Sequence, residues 1–169
     1  MINHRWCVSL FQNIIVIILL ISAAGFLSLT EIALAGARKV KLKILAESGE
    51  IRAQKVLDLQ EQSADFFAAS QIGLNAIAIL GGILGEGAFR PYFVEFVARF
   101  YTGPWLETIG FALSFTLVTS LFILFADLMP KRLAMNAPEK ISIRVIEPIQ
   151  IFIKICKPLA WGINAIANL

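Results

Sequence analysis

An all-α membrane protein is the fold class that these 169 residues predict: three transmembrane helices, a short cytosolic helical hairpin and a C-terminal juxtamembrane belt helix. Three observations carry that expectation. Hydrophobic residues make up 58% of the chain and charged residues only 16%, where soluble domains carry about 25% charged. Mean hydropathy is correspondingly high, at +0.77. Three apolar runs reach the roughly 20 residues that a bilayer-crossing helix needs, and the cations gather in the segments after the first and third of them.

The first span covers about 10–35. Arg5 ahead of an apolar stretch imitates a signal peptide, but the run from Leu10 to Ala35 outlasts the roughly 7–15 apolar residues of such a leader, so it reads as a retained helix. Residues 38–64 follow, with Val40, Ile44, Leu45, Val56, Leu57 and Leu59 at helical spacing among Lys and Glu. Ser48-Gly49 interrupts that pattern, which predicts two short amphipathic helices joined by a turn and lying under the membrane domain. The second span covers about 66–88, with Asp65 just outside it and Glu86 near its far end. Residues 89–108 read as an outer loop whose Tyr92, Tyr101 and Trp105 are interfacial anchors. The third span covers about 109–128 and ends at Asp127, Pro130 and Lys131. Each span must satisfy its own backbone hydrogen bonds in lipid, so all three are helices. The tail, 138–169, mixes apolar runs with Lys140, Arg144, Glu147, Lys154 and Lys157. Pro148 and Pro158 divide it into runs too short to span, which predicts a kinked belt on the inner surface. Residues 1–169 form a single domain on this reading.

Orientation follows from the cations. Six Lys or Arg lie between spans one and two and six more follow span three, against Arg5, Arg90 and Arg99 in the other two segments. Short loops rich in Lys and Arg stay in the cytosol. The N-terminus is therefore expected outside and the C-terminus inside, in a bacterial inner or cell membrane. The lipid bilayer is the expected partner, and nucleic acid is not.

No P-loop, G-x-S-x-G, H-E-x-x-H or Cys/His pair occurs, so the chain is not expected to be an enzyme. Cys7 and Cys156 read as free thiols and His4 as a surface residue. Ionisable groups inside membrane segments are costly and mark candidate sites. Glu31 and Asp127 qualify, near the same end of spans one and three. Ser28 and Glu31 share a helix face with Gly25 and Ser22. Span two adds Ser70, Gln71 and Asn75. Ser70 and Asn75 lie about 140° apart on an ideal helix, so both reach one site only if the helix widens or breaks near Gly73. Carboxylate, amide and hydroxyl oxygens suit Mg²⁺ or Ca²⁺, whereas zinc and copper favour His and Cys clusters. Each group has a structural alternative. The hydroxyls can bond back to the chain, Asn75 can clasp a neighbouring helix, and Glu31 can pair with Lys131. Gly81-Gly82 and Gly85 read as close-packing positions.

Three segments together resemble the CNNM/CorC family of magnesium transporters. Phe26-Leu27-Ser28-Leu29-Thr30-Glu31-Ile32-Ala33-Leu34 is similar to the motif closing that family's first helix. Ser70-Gln71-Ile72-Gly73-Leu74-Asn75 resembles its Q-I-G-x-N signature, and Asp127-Leu128-Met129-Pro130-Lys131-Arg132 its E-x-x-P-K motif. The Leu45–Gly49 turn and Pro158-Leu159-Ala160-Trp161 also match. The resemblance implies a homodimer of three-helix membrane domains that exports Mg²⁺, coupled to Na⁺. It implies Mg²⁺ held by Ser28, Ser70, Asn75, the backbone near Gly73, and Asp127. Glu31, Pro130 and Lys131 would support the site, Pro130 by breaking the third helix and freeing carbonyls. Cytosolic regulatory domains of the CBS type are implied as partners and are missing from these residues. Ala126-Asp127 stands where the family has Gly-Glu, shortening the carboxylate by one methylene. That exchange motivates an alternative expectation, a membrane scaffold or regulator of the same fold without transport.

Overall fold

The computed structural model describes residues 4–167, with side chains from 12 to 155 apart from position 65. The expectations for His4, Cys7, Cys156 and the 158–161 motif therefore concern side chains outside the described residues. Seven α-helices and one π-helical segment account for nearly all of the described chain, which contains no strand. They are α1 (His4–Gly36), α2 (Lys39–Glu47), α3 (Ile51–Glu61), α4 (Ser63–Ala98), α5 (Leu106–Leu121), the π segment (Phe122–Leu128), α6 (Met129–Asn136) and α7 (Pro138–Ala167). Three stretches are long and apolar enough to cross a membrane: Gln12–Gly36, Phe66–Ala98 and Leu106–Asn136. At most 28% of each is buried within the chain, so their apolar surface is left for lipid or for other protein. This is an integral membrane protein.

Two elements run further than the sequence indicates. α4 continues ten residues past Ala88, through Pro91, whose ring leaves the carbonyl of Gly87 without its usual donor. The 33 residues of the second span reach about 50 Å at 1.5 Å per residue, beyond a roughly 30 Å hydrocarbon core. Much of the expected outer loop is thus helix, and only residues near 99–105 connect α4 to α5. α7 likewise passes through Pro148 and Pro158 as one helix, where the sequence predicts breaks.

The contacts divide the chain into two compact units. One comprises Met1–Gly25 and Asn75–Leu128, the other Phe26–Leu74 and Met129–Leu169.

In the first unit α4 and α5 run antiparallel, and their register can be read from glycine. A Cβ at Gly81 would strike the Phe122 ring, one at Gly85 would meet Val118 Cγ1 at 2.5 Å, and one at Gly110 would overlap Val94. These pairs step evenly in opposite directions along the two helices. Small residues four apart let membrane helices approach closely, gaining dispersion contacts that lipid does not offer. Gly82, by contrast, faces open space. At the end nearer the connection, the Arg90 guanidinium ties the helices together. It lies 3.3 Å from Glu107, 3.8 Å from Glu86 and 5.8 Å from the Phe111 ring centre.

The second unit is built around the α2–α3 hairpin. Gly49, at φ +102°, reverses the chain between the two helices, a left-handed conformation that favours glycine. The Gly49 and Glu50 N–H groups donate to the Ala46 and Leu45 carbonyls. Leu42, Ala53, Val56 and Leu57 are buried, with Phe66, Ala134, Ile146 and Ile149 completing the core. Val40 and Ile44, which the periodicity assigns to a packed face, are 71% and 60% exposed. The Gln60 side-chain amide donates to the carbonyls of Leu34 (2.7 Å) and Ala37 (3.0 Å), satisfying acceptors that the end of α1 leaves over. Lys41 pairs with Glu139 at 3.3 Å and Arg52 with Glu147 at 3.2 Å, joining the hairpin to α7.

Candidate functional site

Polar side chains of α1 and α4 are buried within the second unit. Ser28, Thr30 and Ser70 are fully buried. α1 and α4 approach closely here, because a Cβ added at Gly73 would come within 3.1 Å of Leu27 Cδ1 and of Phe152 Cζ. The absence of a side chain at Gly73 is what allows that approach. Thr30 satisfies its hydroxyl within α1, donating to the Phe26 carbonyl at 2.7 Å. Ser70 differs. Its Oγ is buried and has no hydrogen-bond partner, at a cost of about 1–3 kcal/mol for a lost polar interaction. Glu31 is half-buried on the same α1 segment.

Asn75 and Asp127 belong to the first unit. Asn75 is exposed and Asp127 half-buried. Of the residues that the sequence nominates, Ser28, Ser70, Gly73, Glu31, Pro130 and Lys131 thus share one unit, while Asn75 and Asp127 lie in the other. α4 stays α-helical through Gly73, so the widening anticipated there is absent.

The helix widens instead in the third span, over Phe122–Leu128, and Asp127 sits on that segment. π-helical turns inside α-helices are rare and concentrate at functional positions, because they shift the side chains that follow. Sequence reasoning missed this feature, although Pro130 signals it. Proline has no N–H to offer the Ala126 carbonyl four residues back, and the altered register ends just before it. The expected break is therefore corrected: the chain remains helical through a buried Pro130 to Asn136. Among the described residues, no group of three or more His, Cys, Asp or Glu side chains could hold a metal ion.

The family model of the cyclin M (CNNM) transmembrane N-terminal domain matches residues 14–169. The chain belongs to the CNNM family. This bears out the resemblance carried by the Ser28–Glu31, Ser70–Asn75 and Asp127–Lys131 motifs. Several relatives named polyamine export protein are similar over nearly its whole length. That of Escherichia coli K12 is 49% identical over 160 residues, which are 95% of this chain and 36% of the relative. The Salmonella typhimurium protein is 48% identical over 159 residues, 94% of this chain and 36% of the relative. The Haemophilus influenzae protein is 43% identical over 159 residues, 94% of this chain and 37% of the relative. This CNNM domain thus spans little more than a third of the curated relatives it matches.

Proposed function

We propose that this CNNM domain is the membrane module of a cation exporter whose cargo is a polyamine. The observation that carries the reading is the carboxylate of Asp127 on a π-helical turn of a membrane span, in a chain 49% identical to a protein named for polyamine export. Ammonium groups are recognised by carboxylates and hydroxyls at about 2.7–2.9 Å, without the near-octahedral shell at 2.0–2.1 Å that Mg²⁺ requires. The shorter Asp, where the magnesium-transporting pattern has Glu, costs an ammonium contact less than a metal bond. Within the second unit, the buried Ser70 hydroxyl without a hydrogen-bond partner is a separate candidate acceptor for an ammonium group.

A second reading keeps Mg²⁺ as the exported ion, driven by Na⁺. It is favoured by the oxygen-donor set of Ser28, Ser70, Asn75 and Asp127 and by the Gly73 backbone, with Glu31, Pro130 and Lys131 supporting it. Under either reading the working form is a homodimer in the bacterial inner membrane, with its N-terminus outside and its C-terminus cytosolic.

Everted vesicles containing the chain separate the readings. Saturable accumulation of labelled spermidine, reduced at least tenfold by Asp127→Asn, is the expected result. Accumulation of Mg²⁺ without spermidine would transfer the site to the second reading. Accumulation of neither would sink the exporter and favour a transport-inactive scaffold of the same fold.

A further inference from the structure

The second unit carries a cleft separate from every residue considered for cargo. It measures about 610 Å³, opens between the α2–α3 hairpin and the first turns of α7, and is lined by Leu45, Glu50, Arg52, Lys140, Ile143 and Arg144. Lys140 and Arg144 are four residues apart on α7 and so share a face. Among the described residues neither has a carboxylate within 4.0 Å. The lining holds one acidic group, Glu50, whose carboxylate accepts from the Arg52 backbone N–H at 3.3 Å and keeps its charge, against the three cations Arg52, Lys140 and Arg144. Arg52 is in turn held by Glu147. Two exposed cations without an ion-pair partner, Lys140 and Arg144, therefore flank the apolar Leu45 and Ile143. α7 starts two residues after Asn136, the end of the third stretch apolar enough to cross a membrane, so the cleft follows a membrane-crossing stretch directly in sequence.

We propose that this cleft binds the headgroup of an anionic phospholipid, with its phosphate between Lys140 and Arg144 and the start of its acyl chains against Leu45 and Ile143. Charge complementarity selects an anion, and a soluble phosphate would leave the apolar flank unused. A cationic cargo would be repelled, which separates this cleft from the transport path.

The test is titration of the detergent-purified chain with phosphatidylglycerol, read by native mass spectrometry. Each cation near a surface phosphate contributes about fivefold in affinity, so Lys140→Gln with Arg144→Gln should weaken binding about thirtyfold. The charge-conserving exchange Lys140→Arg with Arg144→Lys should keep wild-type affinity, and Arg99→Gln, outside the cleft, should leave it unchanged. Unaltered thermal unfolding without lipid establishes that the double variant is folded. The proposal is overturned if the double variant binds like wild type, or if Arg99→Gln weakens binding as much. Competition by soluble glycerol phosphate would identify a free-phosphate site instead. Loss of dimer with lipid affinity intact would assign the cleft to a second copy of the chain, and that too would overturn it.

Discussion

Buried hydroxyls in this protein fall into two kinds. Thr30 and Ser142 donate to carbonyls three or four residues back, at 2.7 and 3.0 Å, so their burial is compensated within their own helices. Ser70 has no such compensation. An uncompensated hydroxyl in a packed core is a stability defect unless something occupies it in the working protein. Ser70→Ala should therefore leave thermal stability unchanged or raise it by about 1–3 kcal/mol, while slowing cargo export in vesicles. Thr30→Val should do the reverse, losing about 1 kcal/mol of stability with export largely kept. A Ser70→Ala protein that unfolds more easily and exports normally would show the hydroxyl to be structural.

Glycine and the carboxylate of Glu139 are the joints on which the elements depend. Val118 occupies the notch at Gly85, so Gly85→Ala should destabilise the first unit by about 1–3 kcal/mol through overpacking. Adding Val118→Ala should recover most of that loss, and a double-mutant cycle measures the coupling. Additive effects would mean that the helices do not meet there. In the second unit, Glu139 accepts from its own backbone N–H and then from Lys41, and these bonds hold its carboxyl below the ordinary 4.5 despite burial. A folded value lower than the unfolded one stabilises fully above pH 4.5 and fades as pH falls through the folded value. The thermal-stability gap between wild type and Glu139→Gln should accordingly be constant near neutrality and close below about pH 4.5. A gap that instead widens in acid would contradict the sign. Most of these elements were legible in the sequence, because apolar run length and the Ser48-Gly49 interruption are local signals. The far end of α4 and the continuity of α7 were not. Pro91 and Pro148 disfavour helix locally, yet in these long helices each costs one hydrogen bond while the neighbouring turns persist. The π segment escaped for a related reason: hydropathy periodicity cannot distinguish a widened turn from a regular one when every neighbour is apolar.

At the scale of the whole molecule, charge and contact agree on topology. The hairpin and α7 are ion-paired, Lys41 to Glu139 and Arg52 to Glu147, so the segment after the first span and the segment after the third lie on one side of the membrane. An even number of crossings must separate them, and the second and third apolar stretches supply two. The twelve cations of these segments predict that this side is the cytosol, because translocating so many is disfavoured against three at the opposite face. The prediction is direct. In a background with Cys7→Ser and Cys156→Ser, a membrane-impermeant maleimide should label Thr102→Cys in intact cells and Ser48→Cys only after permeabilisation. Both positions are exposed, so failure to label cannot be blamed on burial. The opposite pattern would invert the protein, turning the basic cleft of α7 away from the cytoplasmic leaflet, where anionic lipid gives the negative surface potential that attracts it. Labelling of both sites from one side would mean that neither the second nor the third stretch crosses; the pairing of the hairpin with α7 tolerates that, so it would overturn the three-span reading itself.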